Sequence, residues 1–200
     1  MIGSDSIDVG LKNIWGSWFA FRKGKRRTAQ LEYFEYQLEK NLHELFEDLN
    51  EGTYCHGGYK KFIVRDNKQR EISVASIRDR IVHRLVYDYL TPIYDKTFIY
   101  DAWSCRKNKG LLGAIERTQF FLRHFSRSFV WKGDVKKFFD NVDHAILFEI
   151  LSRKITDKKA LGFISKIIQG FNTHTHTHTH THEERCSGHG DWQSHQSDFR

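Results

Sequence analysis

A single proline, Pro92, stands in 200 residues, so long regular elements are expected rather than a loop-dominated or polyproline scaffold. Cysteine is equally scarce. Cys55, Cys105 and Cys186 are odd in number and far apart, which argues against a disulfide framework and fits a reducing compartment. No window reaches the roughly 18 uncharged apolar residues that a membrane-spanning helix needs. Residues 1–16 carry acidic side chains and no apolar run, so no secretory signal is expected and the chain reads as cytoplasmic. What is present is enough for a core: 39% of residues are hydrophobic and 14% aromatic.

Charge is unevenly spread. The whole chain is formally +7, but from residue 172 onward four acids (Glu183, Glu184, Asp191, Asp198) outnumber two arginines (Arg185, Arg200), so the first 171 residues carry +9. A basic body of this kind suggests a polyanionic partner such as nucleic acid. The alternative is simply a soluble basic surface.

Body and tail differ in kind. Across residues 29–51, Leu31, Phe34, Leu38, Leu42, Leu45 and Leu49 recur at three- and four-residue spacings, predicting one amphipathic helix stopped by Gly52. Residues 59–64 and 71–74 read as strands joined through polar residues 65–69, a hairpin. Ser76 is placed to cap a helix with Ile77, Ile81, Leu85 and Tyr89 inward, ending before Pro92. Helices are expected over residues 111–124, from the Asp143 cap to about residue 154, and from Asp157 to Gly170. Residues 128–133 read as a strand running into Asp134. Helices alternating with a few strands predict an α+β fold. Residues 173–182 are Thr-His five times over. They read as low complexity without order, the alternatives being an edge strand or a histidine metal site.

The chemical signal lies at residues 131–144, where Asp134, Asp140 and Asp143 fall within ten residues. A carboxylate at a strand end suits a Mg²⁺ ion held against a triphosphate, with a second carboxylate from elsewhere. Asp140 and Asp143 read more simply as turn and cap residues.

Asp-Val-Lys-Lys-Phe-Phe-Asp-Asn-Val-Asp-His, residues 134–144, resembles the first palm motif of bacterial reverse transcriptases of the group II intron, retron and diversity-generating type. Three upstream blocks follow in the same order. Lys68-Gln69-Arg70-Glu71-Ile72 resembles the fingers hairpin over the incoming nucleotide. Ile77-Arg78-Asp79-Arg80-Ile81-Val82-His83 with Leu90-Thr91-Pro92-Ile93-Tyr94 resembles the next fingers block. Phe98 to Arg106 with Lys109-Gly110 resembles a further stretch with Phe, Ser, Arg and Lys-Gly.

The resemblance implies the fingers and first part of the palm of an incomplete right-hand polymerase fold. It divides the chain into a basic segment (1–28), fingers (29–127), start of a palm (128–171) and tail (172–200). Asp134 would bind the catalytic Mg²⁺ ions with the Val135 carbonyl assisting. Phe139 would stack under the deoxyribose and exclude a 2′-hydroxyl. Arg70, with Lys68 or Arg65, would clamp the triphosphate, since a planar guanidinium binds phosphate through two donors. For Arg65 and Lys68 an exposed basic hairpin is the alternative. Arg78, Arg80, Arg84 and Arg106 would contact the template backbone, or else be solvated helix charges. Trp131, Tyr87 and Tyr89 read as core. The implied partners are an RNA template, a DNA or RNA primer and a dNTP, with no membrane and no accessory protein specified.

The departure from the family is as informative. No Tyr-x-Asp-Asp occurs in the 200 residues, and one carboxylate does not make a two-metal site. The expectation is a truncated polymerase, inactive alone, and its rivals are a basic RNA-binding fragment or an inert, poorly folded product. If Thr-His is encoded as ACA CAC, the tract is an AC repeat prone to slippage. Residues 191–200 read from the second base of each codon permit Ile-Gly-Asn-Leu-Thr-Ser-Gln-Ile-Phe-Ala, which resembles the family's next motif. Its Ser-Gln ending leans towards the diversity-generating branch, and on that frameshifted reading the histidines and Cys186 have no selected role.

Overall fold

Helix α4 (Ile77–Tyr94) lies at the centre of the core, packed directly by the helices at residues 11–22 and 158–170. The computed structural model describes residues 6–65, 69–125 and 127–171, apart from the Asp140 side chain. The tail, the turn residue Lys68 and the side chain of Asp140 therefore lie outside the described residues. Before α4 come α1 (Leu11–Arg22), α2 (Ala29–Tyr36), α3 (Leu38–Glu51) and a hairpin of β1 (Tyr59–Arg65) and β2 (Gln69–Ala75). After it come α5 (Leu111–His124), α6 (His144–Ser152) and α7 (Lys158–Gly170). The α+β expectation holds, with one two-stranded sheet among the described residues.

The core follows from the apolar stripes. Leu42, Leu45 and Leu49 of α3 are essentially inaccessible, as are Ile14 and Trp18 of α1 and Ile81 and Val82 of α4. Trp18 stacks on Phe34 at 5.3 Å, which sets α2 against α1. Ile155, Ala160, Phe163 and Ile164 bring α7 into the same cluster. Each fully buried Leu, Ile, Val or Phe among them stabilises the fold by about 1.5–3 kcal/mol relative to exposure. Asp157 caps α7 at Lys159 N and also accepts from Ile7 N at 2.6 Å, tying the N-terminal segment to α7. No helix among the described residues is long and apolar enough to cross a membrane.

The hairpin and the caps stand where expected. β1 and β2 are antiparallel in the register Tyr59↔Ala75 to Arg65↔Gln69, with a Lys61–Glu71 ion pair at 2.7 Å. Gly52 ends α3 in the left-handed region at φ 79°, a conformation that favours glycine. Asp143 accepts from Ala145 N and Ile146 N, so its role in the fold is the cap of α6.

Four expectations are corrected. Residues 29–51 form two helices, because the chain turns at Gln37 and the buried Asn41 side chain donates to the Phe34 carbonyl, satisfying an acceptor that the break exposes. Helix α4 runs through Pro92, where the missing N–H removes one ladder bond in the last turn and Asp95 N still reaches Thr91 O. Residues 128–133 form no strand, since no described segment supplies the ladder that their N–H and C=O groups need. Consequently Trp131 is 89% exposed rather than core, and Tyr87 is also exposed, whereas Tyr89 does pack on the core. The sequence reading also passed over α1, whose Leu11, Ile14, Trp15 and Trp18 carry helical spacing.

Packing thus divides into a well-buried body and an exposed apolar face. No residue of α5 or α6 is buried, and Phe129 is fully exposed. Replacing Leu45 by Ala is expected to cost about 2–5 kcal/mol in urea unfolding. Phe129→Ala should change stability by less than about 0.5 kcal/mol while lowering the fluorescence of a dye that binds apolar surface. An unchanged midpoint for Leu45→Ala would overturn this division.

Candidate functional site

The hairpin carries two of the basic residues of interest at its tip. Arg65 lies opposite Gln69, and Arg70 opposite Val64 on the next rung. Both are exposed, and neither makes an ion pair with another described residue. Alternation in a two-stranded sheet puts neighbouring side chains on opposite faces.

The feet of the hairpin are tied to α4. Asp79 is 1% exposed, and its carboxylate accepts from Tyr54 Oη at 2.9 Å, Ser76 Oγ at 2.7 Å and Gly57 N at 3.2 Å. Ser76 in turn accepts from Asp79 N at 3.1 Å, a reciprocal helix cap. Burial, then the Asp79 charge and hydrogen bond, pushes the Tyr54 hydroxyl pKa far up, so Tyr54 is a permanent donor. One turn further on, His83 Nε2 lies 3.0 Å from His56 Nε2, and the rings stack at 5.2 Å. Gly58 N donates to His56 Nδ1 at 3.1 Å, which assigns the proton of a neutral His56 to Nε2 and makes His83 Nε2 the acceptor. Sequence reasoning missed Asp79, Tyr54 and the histidine pair, although Ser76 and Asp79 stand at capping-box spacing.

The four helix and loop arginines have different surroundings. Arg78 pairs with Asp48 and lies over the Tyr54 ring at 5.4 Å. Arg80 lies over Phe21 at 5.0 Å, and burial lowers its pKa. Arg84 pairs with Asp88 at 2.8 Å on an exposed face. Arg106 directs Nε to Asp95 Oδ1 at 2.7 Å, Nη2 to the Asp95 carbonyl and Oδ2, and Nη1 to the Ile99 and Ala102 carbonyls. Its five N–H donors are accepted inside the chain, and its hydrogen bond holds the Asp95 carboxyl below the usual range.

Asp134 sits on an exposed segment without regular secondary structure, ahead of a tight turn. Lys137 is left-handed at φ 51°, and the Asn141 side chain closes on the Lys137 carbonyl at 2.8 Å. That turn presents Phe138 and Phe139 edge to face at 5.4 Å, with Phe139 77% exposed. Asp134 makes no hydrogen bond or ion pair with another described residue, and no cluster of three acidic, histidine or cysteine side chains occurs among them. A carboxylate and the Val135 carbonyl are the hard oxygen donors that Mg²⁺ prefers. They are too few to hold it, so the described residues do not complete a metal centre.

The sequence model of the reverse transcriptase (RNA-dependent DNA polymerase) family matches residues 60–189. Group II intron-encoded protein LtrA of Lactococcus lactis subsp. cremoris is 27% identical over 174 residues, covering 84% of this chain and 28% of that protein. Protein YkfC of Escherichia coli K12 is 27% identical over 138 residues, 66% of this chain and 36% of that protein. The putative COX1/OXI3 intron 2 protein of Saccharomyces cerevisiae is 25% identical over 132 residues, 64% of this chain and 15% of that protein. The chain thus spans little more than a third, at most, of these three relatives.

The histidine pair makes the hairpin foot sensitive to acid. With Gly58 N–H on His56 Nδ1, only one proton fits between the two Nε2 atoms, so an added proton breaks a hydrogen bond. Burial, then His56, lowers the His83 pKa from its ordinary 6.5, with Asp79 opposing and Arg80 reinforcing. The native state therefore binds fewer protons than the unfolded chain just below pH 6.5, and stability falls as pH drops through that value. Urea midpoints at pH 7.5 and 5.5 should differ, and His83→Gln should reduce the difference. An equal pH dependence in His83→Gln would remove His83 as its source.

Proposed function

Because the chain belongs to the reverse transcriptase family, we propose that it forms the fingers and the first part of the palm of an RNA-directed DNA polymerase. The observation that carries this reading is the ordered set of blocks between residues 68 and 144, all inside the segment that the family model matches. The division into fingers (29–127) and palm start (128–171) belongs to the same proposal.

In this reading a primer 3′-hydroxyl attacks a dNTP paired to an RNA template, with positioning and electrostatics as the protein's contribution. Arg70, with Lys68 or Arg65, holds the triphosphate from the hairpin; Arg65 and Arg70 are exposed and meet phosphate without first breaking an ion pair to another described residue. Phe139 lies beneath the sugar as a flat apolar surface. Asp134 and the Val135 carbonyl contribute two oxygen donors towards Mg²⁺, which when bound offsets phosphate charge. No Tyr-x-Asp-Asp occurs in the 200 residues, so in this reading the remaining carboxylates come from another segment and these residues alone do not polymerise. Arg84 and Arg78 offer charge to the template backbone, whereas Arg106 shapes the loop between α4 and α5.

A second reading, a non-catalytic RNA-binding module, is favoured by the lone carboxylate and the +9 body. Two measurements separate them. Both readings expect the 200-residue chain to bind RNA with an affinity that falls with salt, by about 0.7 in the log–log slope per phosphate contact on a single strand. Only the polymerase reading expects primer extension when residues 60–171 replace the matching segment of the LtrA relative. There Asp134→Ala should lower incorporation about a thousandfold or more, roughly 4 kcal/mol of barrier, with RNA binding intact. Full incorporation by the Asp134→Ala chimera would refute the assignment, and an inactive but RNA-binding parent chimera would favour the binding module.

A further inference from the structure

We infer that Asp79 is a positioning residue for the hairpin, a clamp that holds both of its feet and so aims Arg65 and Arg70. The inference rests on the proposed role of the hairpin in holding the triphosphate. A two-stranded sheet on its own is marginally stable in water and has no fixed direction relative to the body. Here most side chains of β1 and β2 are exposed, so packing does not anchor the hairpin along its length. Its orientation depends on where the strands enter and leave. Gly57 lies two residues before β1, and Ser76 lies one residue after β2. Both donate to the same oxygen, Asp79 Oδ2, at 3.2 and 2.7 Å.

That convergence is more than a helix cap. A cap requires only the Ser76–Asp79 exchange, whereas the Gly57 bond spans 22 residues and closes the hairpin as a loop. Tyr54 Oη occupies the other carboxylate oxygen, which stops Asp79 from rotating away. Gly57 is suited to its place, since a Cβ there would approach Asp79 Oδ2 to 3.2 Å. One turn along α4, His83 meets His56, a second tie to the same foot. A buried carboxylate deprived of its donors is costly, so the feet and Asp79 hold one another in place.

The test is amide hydrogen exchange on the 200-residue chain, comparing β1 and β2 with α3. Asp79→Ala should speed exchange in the hairpin at least tenfold beyond any change in α3. Asp79→Asn should restore much of the protection, because its carbonyl oxygen still accepts from Ser76 and Gly57 while its amide donates to Tyr54. If Asp79→Ala fails to fold, Ser76→Ala removes one foot bond and should loosen β2 more than β1. Equal acceleration in the hairpin and α3, or an unaffected hairpin, would overturn the clamp. Binding of dATP judges the underlying reading separately. Arg70→Ala and Asp79→Ala should each weaken it severalfold. If Arg70→Ala leaves it unchanged while the exchange result holds, the clamp stands and the nucleotide role of the hairpin falls.

Discussion

The burial of one face of α4 is the constraint from which the rest of the described structure follows. Ile77, Ile81, Val82, Leu85 and Val86 form a stripe that receives α1 and α7 directly, and α3 joins the same cluster against α1. Apolar stripes on four helices are satisfied at once, which is how an N-terminal segment and a segment beginning at Ile155 come to share a core with the centre of the chain. Asp79 is buried within that arrangement and is tolerated because three donors surround it. The apolar stripe places α4, and the polar node at its start places the hairpin.

Legibility in the sequence tracked how local each determinant was. The hairpin, the Gly52 stop and the Ser76, Asp143 and Asp157 caps depend on residues within a few positions of each other, and each appears as expected. The break at Gln37 was hidden because the leucine spacing continues across it, and the deciding bond comes from Asn41, a residue with no apolar signal. Pro92 misled for the opposite reason. Its local rule is sound in a helix interior, but close to the C-terminal end only one bond is at stake, and Ile93 and Tyr94 continue the helix.

The candidate site was legible as a motif and not as a geometry. Asp134 and Phe139 were found from their order in the chain, which says nothing of what surrounds them. The strand expected before Asp134 rested on aromatic and β-branched composition, and composition measures fitness for a sheet rather than the presence of a neighbour. The arginines divide on the same ground. Arg106 and Arg70 look alike in sequence, yet one gives every donor to Asp95 and nearby carbonyls while the other stands in solvent. The difference lies in long-range partners that no spacing rule encodes.

The two segments of the proposed site therefore reach different degrees of definition. The hairpin is anchored by hydrogen bonds to a buried helix, so its tip has a direction before any ligand arrives, and ligand binding meets a smaller ordering cost. Residues 128–139 have no such anchor. Without a ladder partner among the described residues, the segment leaves its side chains uncovered. Phe129, Trp131 and Phe139 are accordingly exposed, and Asp134 shares their segment. In the proposed metal role Asp134 would need its orientation set by neighbours packed behind it, and it makes no hydrogen bond or ion pair with another described residue.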